Sequence, residues 1–234
     1  MIERAIVLAA GFGKRVQPLT NVTPKPLLKI NNVSLLENTL NFLKKFGVKS
    51  FAINTHHLGD QIISFAESNK NKYDIKIFKE KDILGTGGGI RNALDFFQDK
   101  PFISINSDTI WSDEYLNPLK NLYKNFTKHN VNSGLLMTKR ENSFDKTLKG
   151  DFTIKSAPFL FRQPGDTNSL IFTGCQIISP VLLKNKKNEN FSIQPVWDEA
   201  IAAKKMVGEV AQNTFYHVTD LSIYEKLKQL DLIR

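Results

Sequence analysis

The sequence is poor in the residues that staple a fold, chelate soft metals or span a membrane. It has one cysteine in 234 residues, Cys175, which excludes an intrachain disulfide and a cysteine-based metal cluster. Cys175 lies in the apolar run "SLIFTGCQII", where a packed core thiol is expected rather than a nucleophile. Of four histidines, His56 and His57 are adjacent. Chain neighbours point apart, and no further His or Cys has ligand spacing, so a zinc site is not expected. No apolar run approaches spanning length, and the start, "MIERAIVLAAG", lacks a signal-peptide layout. The expectation is a soluble, cytoplasmic protein without a membrane partner. Internal repeats and Gly/Ser-rich linkers are missing too.

Acidic residues are in deficit, 23 against 32 Lys and Arg, for a net charge of +9. A basic balance invites a nucleic-acid reading. Yet the lysines are scattered among asparagines, as in "KNLYKNFTKHN" and "LLKNKKNEN", with no basic run interleaved with stacking aromatics. A solvated lysine-rich surface is expected, and no nucleic acid. The positive field would still draw in a small polyanion.

What is present is an alternation of short apolar runs with helical patterns. "AIVLA", "SFAIN", "IKIFK" and "PFISIN" read as buried strands. "SLLENTLNFLKKFG" reads as a helix, with a Ser34/Glu37 capping box, an apolar face of Leu35, Leu36, Leu40 and Leu43, and a Gly47 stop. A second helix starts near Asp60, and "GGGIRNALDFF" begins in glycines and becomes helical. This spacing implies crossover units and an α/β fold: a Rossmann-like, mostly parallel sheet covered by helices on both faces. Beyond residue 130, "NSGLLMTK", "GDFTIK", "APFLFR", "SLIFTGCQII", "MVGEVAQ" and "TFYHV" read as strands of a smaller, partly antiparallel extension. "QPVWDEAIAAKK" and "DLSIYEKLKQL" read as its helices. We expect a single domain over 1–234, with halves 1–130 and 131–234. Ligands of such sheets bind beyond the carboxyl ends of the strands. The loop after Ala9, the acidic tail of "KIFKEKD" and "NSD" after Ile105 all fall there.

The loop "AAGFGKRVQPLTNVTPKPLL" fits neither common phosphate template. Val16 stands where a dinucleotide fingerprint needs its last glycine. Leu8 and Arg15 stand where a P-loop needs glycine and a hydroxyl residue. Gly11 and Gly13 nevertheless allow close main-chain approach, and Lys14, Arg15 and Lys25 supply charge and bidentate donors for phosphate.

Beyond those features, "LAAGFGKRVQPLTNVTPKPLL" resembles the L-A-A-G-x-G-x-R-x-x-P-L-T…P-K-P signature of the sugar-1-phosphate nucleotidyltransferases. Four further segments resemble family motifs in order: "LGTGGGIRNAL", "FISINSD", "IFTGCQIISP" and "TDLSIYEKL". The resemblance spans Ile6 to Leu227. It implies a GT-A-like nucleotidyltransferase fold and transfer of a nucleotidyl group from a nucleoside triphosphate to a sugar 1-phosphate, releasing pyrophosphate. "ILGTGGGI", the tryptophan after "NSDTI", "KGDFTI", the short length and the missing E-K-P segment resemble the N-acetylmuramate-1-phosphate uridylyltransferases of cell-wall (peptidoglycan) recycling. Those features imply UTP as donor. The alternatives are a mannose- or glucose-1-phosphate guanylyl- or thymidylyltransferase, or a non-catalytic nucleotide-sugar-binding homologue. The expected assembly is a monomer or homodimer.

The same resemblance implies the site. Arg15, Lys25, Asp108 and Asp220 would be catalytic, with Asp108 and Asp220 holding Mg2+. Leu8, Ala9, Ala10, Gly11, Gly13, Lys14, Arg15, Thr86, Gly87 and Gly88 would bind the nucleotide. Lys25, Asn106, Gly150, Asp151, Thr173 and Gly174 would take the sugar phosphate. A capping role for Asp220 at the start of the last helix is the alternative, as a solvated loop acid is for Glu80. The chain departs from the family pattern at Ser107 and Ser222, which replace glycines, and at His217, which replaces an aromatic.

Overall fold

The computed structural model describes residues 1–163, 165 and 167–233. Its first half alternates strands and helices: β1 (Arg4–Leu8), a short hairpin β2 (Lys29–Ile30) and β3 (Val33–Ser34), α1 (Leu35–Phe46), β4 (Ser50–Thr55), α2 (Gly59–Ser68), β5 (Asp74–Lys79), α3 (Gly85–Asn92), β6 (Phe102–Asn106) and α4 (Leu116–Lys128). The second half adds β7 (Ser133–Lys139), β8 (Thr153–Ser156), β9 (Phe159–Phe161), β10 (Leu170–Ile178), α5 (Gln194–Ala202), β11 (Met206–Ala211) and α6 (Leu221–Lys228).

Among the described residues, nine strands join one sheet in the order β5-β4-β1-β6-β10-β7-β11-β9-β8. β5, β4, β1 and β6 run parallel, while β10 is antiparallel to both β6 and β7. β11 returns parallel to β7. The α/β reading therefore holds, and strands from both halves of the chain share the sheet. Side chains alternate between faces, as a pleated strand requires. Ala5 and Val7 enter one core with Leu36, Leu40, Leu43, Leu119, Leu122 and Phe126 from α1 and α4. Ile6 enters the opposite core with Ile90, Leu94, Val196 and Trp197 from α3 and α5 and their flanks. A third cluster joins the opening loop to the end of the chain, packing Val16, Leu28 and Ile30 against Val218, Tyr224 and Leu227.

α1 has the expected ends. Ser34 Oγ accepts from Glu37 N–H at 3.1 Å, and Gly47 takes φ 115° past the last turn. Glu37 turns its carboxylate outward to Lys72 Nζ at 2.7 Å, so the cap works from the serine side. One expectation is corrected. "TFYHV" is not a strand: its residues make only isolated bridges, Ser143 with Phe215 and Thr109 with His217, because the segment is wedged between two others. The lysine-rich "KNLYKNFTKHN" is largely helix α4, which buries Leu119, Leu122 and Phe126 and turns its lysines outward, the solvated surface that was expected. Among the described residues, no helix is long and apolar enough to cross a membrane.

Candidate active site

A cavity of about 380 Å³ opens at the carboxyl edge of the four parallel strands. Leu8 and Ala9 bring β1 to it, Asn54 brings β4, Glu80 follows β5, and Asn106 ends β6. The placement follows from topology, since each parallel strand there must turn into a crossover and leaves a crevice.

Its base is a buried polar relay. Asn54 Oδ1 accepts from Ala9 N–H at 2.9 Å, and Asn54 Nδ2 donates to Glu80 Oε1 at 2.7 Å. Glu80 Oε2 accepts from Leu84 N–H at 2.9 Å. Glu80 is only 4% exposed, so it is not the solvated loop acid that its neighbours "KEKD" suggest. The relay ties the first glycine loop to the third crossover, since buried polar groups must find partners.

The opening loop leaves β1, passes Gly11 and Phe12, and reverses at Gly13, whose φ of 63° belongs to the left-handed region. Gly13 O accepts from Val16 N–H and from Thr20 Oγ1, which holds Lys14 and Arg15 on a tight turn at the cavity mouth. Both cations are exposed there. Space is open where Gly11 would carry a Cβ, so the backbone faces the cavity without obstruction. Phe12 projects the other way, against His56 and His57 at ring separations of 5.5 Å. Those two histidines bond Glu80 O and Thr20 O respectively, as loop supports.

Lys25 lies between Pro24 and Pro26 on another tight turn and points to Asp108, Nζ to Oδ2 at 2.7 Å. His217 Nε2 stands 3.2 Å from Asp108 Oδ1. Neither Asp108 Oδ1 nor His217 Nδ1 has a hydrogen-bond partner among the described residues. Burial would push the Asp108 carboxyl up, but Lys25 and His217 more than offset it and hold it well below the usual carboxylate range. The result is an ionised carboxylate whose Oδ2 is taken by Lys25 and whose Oδ1 faces His217 Nε2 without an aligned hydrogen bond.

Of the expected site residues, Leu8, Ala9, Ala10, Gly11, Gly13, Lys14, Arg15, Lys25, Thr86, Asn106 and Asp108 line this cavity. Gly87 and Gly88 do not. Their N–H groups donate to Phe191 O, and an added Cβ would fall 2.3 Å from the Phe191 ring or 2.2 Å from Glu189 O. Phe191 O has taken these two N–H groups, so what the helix start presents to the cavity is Gly85 and Thr86. Thr173 and Gly174 form a bulge in β10 that backs Asn106; a Cβ at Gly174 would meet the Asn106 side chain at 3.0 Å. Gly150 packs against Asn168 O, and Asp151 accepts from Phe172 N–H at 2.8 Å, its carboxyl pushed up by burial. Asp220 caps α6, accepting from Ile223 N–H at 2.9 Å. It neighbours Thr219, which does line the cavity.

Asn54 and Thr219 line the cavity without having been expected there, Glu80 and Ser107 line it at the strand ends that the sequence marked, and His217 adjoins it through Asp108. Asn54 carried a signal, since a polar residue closing a buried strand matches Asn106 in position. Ser107 takes no positive φ and donates to Leu8 O at 2.9 Å, so this position needs no glycine. Ser222 sits exposed in the first turn of α6 and needs none either.

A parallel sheet with a cationic, glycine-bearing loop at its carboxyl edge defines a phosphate-handling α/β protein. A family model described as "Nucleotidyl transferase" matches residues 4–144. An N-acetylmuramate alpha-1-phosphate uridylyltransferase of Caulobacter vibrioides is 26% identical over 221 residues, covering 92% of this chain and 91% of the relative. Mannose-1-phosphate guanylyltransferase 1 of Arabidopsis thaliana is 27% identical over 207 residues, or 86% of this chain, which spans 56% of that relative. A solved UDP-glucose pyrophosphorylase complexed with UDP-glucose shares the fold, with a TM-score of 0.78 at 18% identity over 98% of each chain. The chain belongs to the nucleotidyltransferase family, among the sugar-1-phosphate nucleotidyltransferases that its motifs resemble.

Proposed function

We propose that the protein transfers a uridylyl group from UTP to N-acetylmuramate 1-phosphate, releasing pyrophosphate. The observation that carries the class of reaction is the convergence of Arg15, Lys25 and Asp108 on one cavity from separate segments of chain. The uridylyl and muramate choice is supported by the Caulobacter relative, matched along nearly its whole length.

In this reading an anionic oxygen of the sugar phosphate attacks the α-phosphorus of UTP. The new P–O bond forms as the bond to the β-phosphate bridge breaks, and pyrophosphate carries the electron pair away. The attacking oxygen is already deprotonated, so charge neutralisation and alignment carry the catalysis. Arg15 and Lys14 hold the β- and γ-phosphates at the mouth and the Gly11 backbone approaches the nucleotide, while Leu8 to Ala10 and Thr86 border the base and ribose. Lys25 exchanges its contact with Asp108 for a reacting phosphate, and Asn106 faces the sugar phosphate. Gly150, Asp151, Thr173 and Gly174 shape that side from behind.

Asp108 fits a divalent cation by its chemistry: an ionised hard-oxygen donor whose Oδ1 makes no aligned hydrogen bond and is faced by His217 Nε2 at 3.2 Å. Mg2+ is commonly held by one or two carboxylates together with substrate phosphates. Asp108 would hold it, with Asp220 as the second carboxylate. The ion's contribution when bound is neutralisation of phosphate charge.

The test is pyrophosphate release measured over four nucleoside triphosphates and a panel of sugar 1-phosphates with Mg2+. Turnover highest with UTP and N-acetylmuramate 1-phosphate is expected. Preference for GTP or dTTP with a hexose 1-phosphate would establish the second reading, which the Arabidopsis relative favours. Tight nucleotide binding without turnover on any pair would leave a binding protein instead.

A further inference from the structure

The segment that follows β11 reaches the cavity without belonging to a strand or a helix. Between Phe215 and Asp220 it is held on one side by the chain after β6. Ile110 N–H donates to Tyr216 O, and Val218 N–H donates to Asp108 O at 2.9 Å. On its other side lies the turn at 142–147, where Phe144 N–H donates to Phe215 O and Phe215 N–H to Asn142 O. These backbone bonds fix the start of the segment. They do not fix Thr219, which bends tightly through its N–H to His217 O and carries the chain into the α6 cap.

Thr219 is held by a side chain from far away in sequence. Thr219 Oγ1 donates to Asp145 Oδ2 at 2.6 Å, and both residues are almost fully buried, at 3% and 5% exposed. The other oxygen of Asp145 closes its own turn, accepting from Thr147 N–H at 2.9 Å and from Thr147 Oγ1 at 2.7 Å. Ser143 Oγ in turn donates to Asp145 O at 2.7 Å. The turn needs only Oδ1; Oδ2 is spent on the distant threonine. Thr219 lines the cavity, with His217 two residues before it against Asp108 and the α6 cap, Asp220, immediately after it.

We propose that Asp145 is a positioning residue of the active site: its carboxylate locks Thr219 at the cavity edge, between the backbone-anchored His217 and the Asp220 cap. The assignment rests on the transferase reading above. Asp145 touches no substrate in it and reaches the cavity through its hydrogen bond to Thr219. A misplacement of about 1 Å at a reacting centre can cost about 100-fold in rate, so a lock of this kind bears on turnover more than on nucleotide affinity.

The experiment compares Asp145→Ala, Asp145→Asn, Thr219→Val, Thr219→Ser and the Asp145→Ala/Thr219→Val double variant, each checked for folding by circular dichroism. Asp145→Ala and Thr219→Val should each lower kcat by about 10- to 100-fold, with KM for UTP held within about threefold, because the triphosphate is gripped by the opening loop. The double variant should be no worse than either single one, since both remove the same contact. Thr219→Ser keeps the hydroxyl and should keep the activity. Asp145→Asn should keep most of it, because its amide can accept from Thr147 and donate to Thr219 Oγ1. Additive losses, an Asp145→Ala enzyme within twofold of wild type, or an Asp145→Asn variant as poor as alanine would each overturn the proposal. If Asp145→Ala does not fold, Thr219→Val against Thr219→Ser decides alone. Manganese titration in the presence of UTP, read by electron paramagnetic resonance, reports the same placement without turnover: weaker Mn2+ binding in both alanine and valine variants supports it, and unchanged binding overturns it. Failure of the wild type to turn over any substrate pair would therefore sink the transferase reading while the titration still decides the role of Asp145.

Discussion

Lys25 and Asp108 lie 83 positions apart in sequence and meet at 2.7 Å, the lysine 12% and the carboxylate 21% exposed at the side chain. The pairing couples acid sensitivity to the site. Burial favours the protonated carboxyl, but Lys25 and His217 outweigh it, and the folded protein holds Asp108 well below the usual carboxylate range. A depressed folded-state value gives stability that is complete above the unfolded value of about 3.9 and is lost as pH falls toward the folded value. Wild-type unfolding temperature should therefore drop on acidification below about pH 4. Lys25→Met removes the strongest attractive partner of Asp108, so its curve should be flatter over that window. Parallel curves for the two proteins would show that the pair contributes nothing to this dependence.

Asp108→Asn keeps the shape of the side chain and an acceptor for Lys25 but removes the charge that suits a cation. Turnover should fall by at least about 100-fold, the scale of several kcal/mol of lost charge stabilisation. The far-ultraviolet circular dichroism spectrum should remain that of the folded enzyme. A variant retaining near-wild-type pyrophosphate release would remove Asp108 from the cation-binding role.

The relay under the cavity predicts a loss of stability. Asn54→Ala orphans both Ala9 N–H and Glu80 Oε1, each buried in the native fold. Leaving buried groups unpaired costs about 1 to 3 kcal/mol apiece. Urea unfolding should show a deficit of at least about 2 kcal/mol, along with a raised KM for the nucleotide, because Ala9 lines the cavity. Glu80→Gln, which can still accept from one neighbour, should be milder. A fully stable Asn54→Ala protein would mean that the relay is replaced by solvent.

How much of this was legible in the sequence depends on the range of the interaction that decides each element. β1, β4 and β6 are largely apolar runs, β5 alternates apolar and charged residues as the sheet's edge strand, and α1 has a local cap and a local glycine stop, so the parallel half could be read directly. α4 was hidden because lysine and asparagine dominate its surface, leaving only Leu119, Leu122 and Phe126 to mark a buried face. The segment at 214–218 alternates like a strand but is shared between two neighbours, a tertiary fact with no local signature. The cationic loop announced its chemistry through glycine and charge. Gly87 and Gly88 misled for the opposite reason: glycines at a helix start suggest exposed N–H groups, and nothing nearby in sequence reveals that Phe191, about a hundred positions later, covers them.

That contrast gives a paired test of what each glycine is for. Gly88→Ala would set its Cβ 2.2 Å from Glu189 O, a backbone atom, and the segment must shift. A loss of about 1 to 3 kcal/mol is expected, as for an overpacked site. Gly11→Ala meets nothing within 4 Å and should leave thermal unfolding unchanged. If a nucleotide closes on that backbone, as proposed, Gly11→Ala should raise KM for the triphosphate by about tenfold, the equivalent of about 1.4 kcal/mol. Unchanged KM would show that the ligand does not approach Gly11.

Asp220 carries two roles that a single alanine variant cannot separate. It caps α6, with its side chain accepting from Ile223 N–H at 2.9 Å, and it is the proposed second carboxylate for the cation. Asp220→Ala should cost about 1 kcal/mol through the lost cap alone, whatever happens to activity. Serine caps a helix about as well as aspartate but offers no charge. Asp220→Ser should therefore unfold at the wild-type temperature. If the aspartate also binds the cation, that variant should need a higher Mg2+ concentration for half-maximal turnover. A serine variant with unchanged stability and an unchanged Mg2+ requirement would assign Asp220 to the cap only. Asp108 would then be left as the sole protein carboxylate of the proposed cation site.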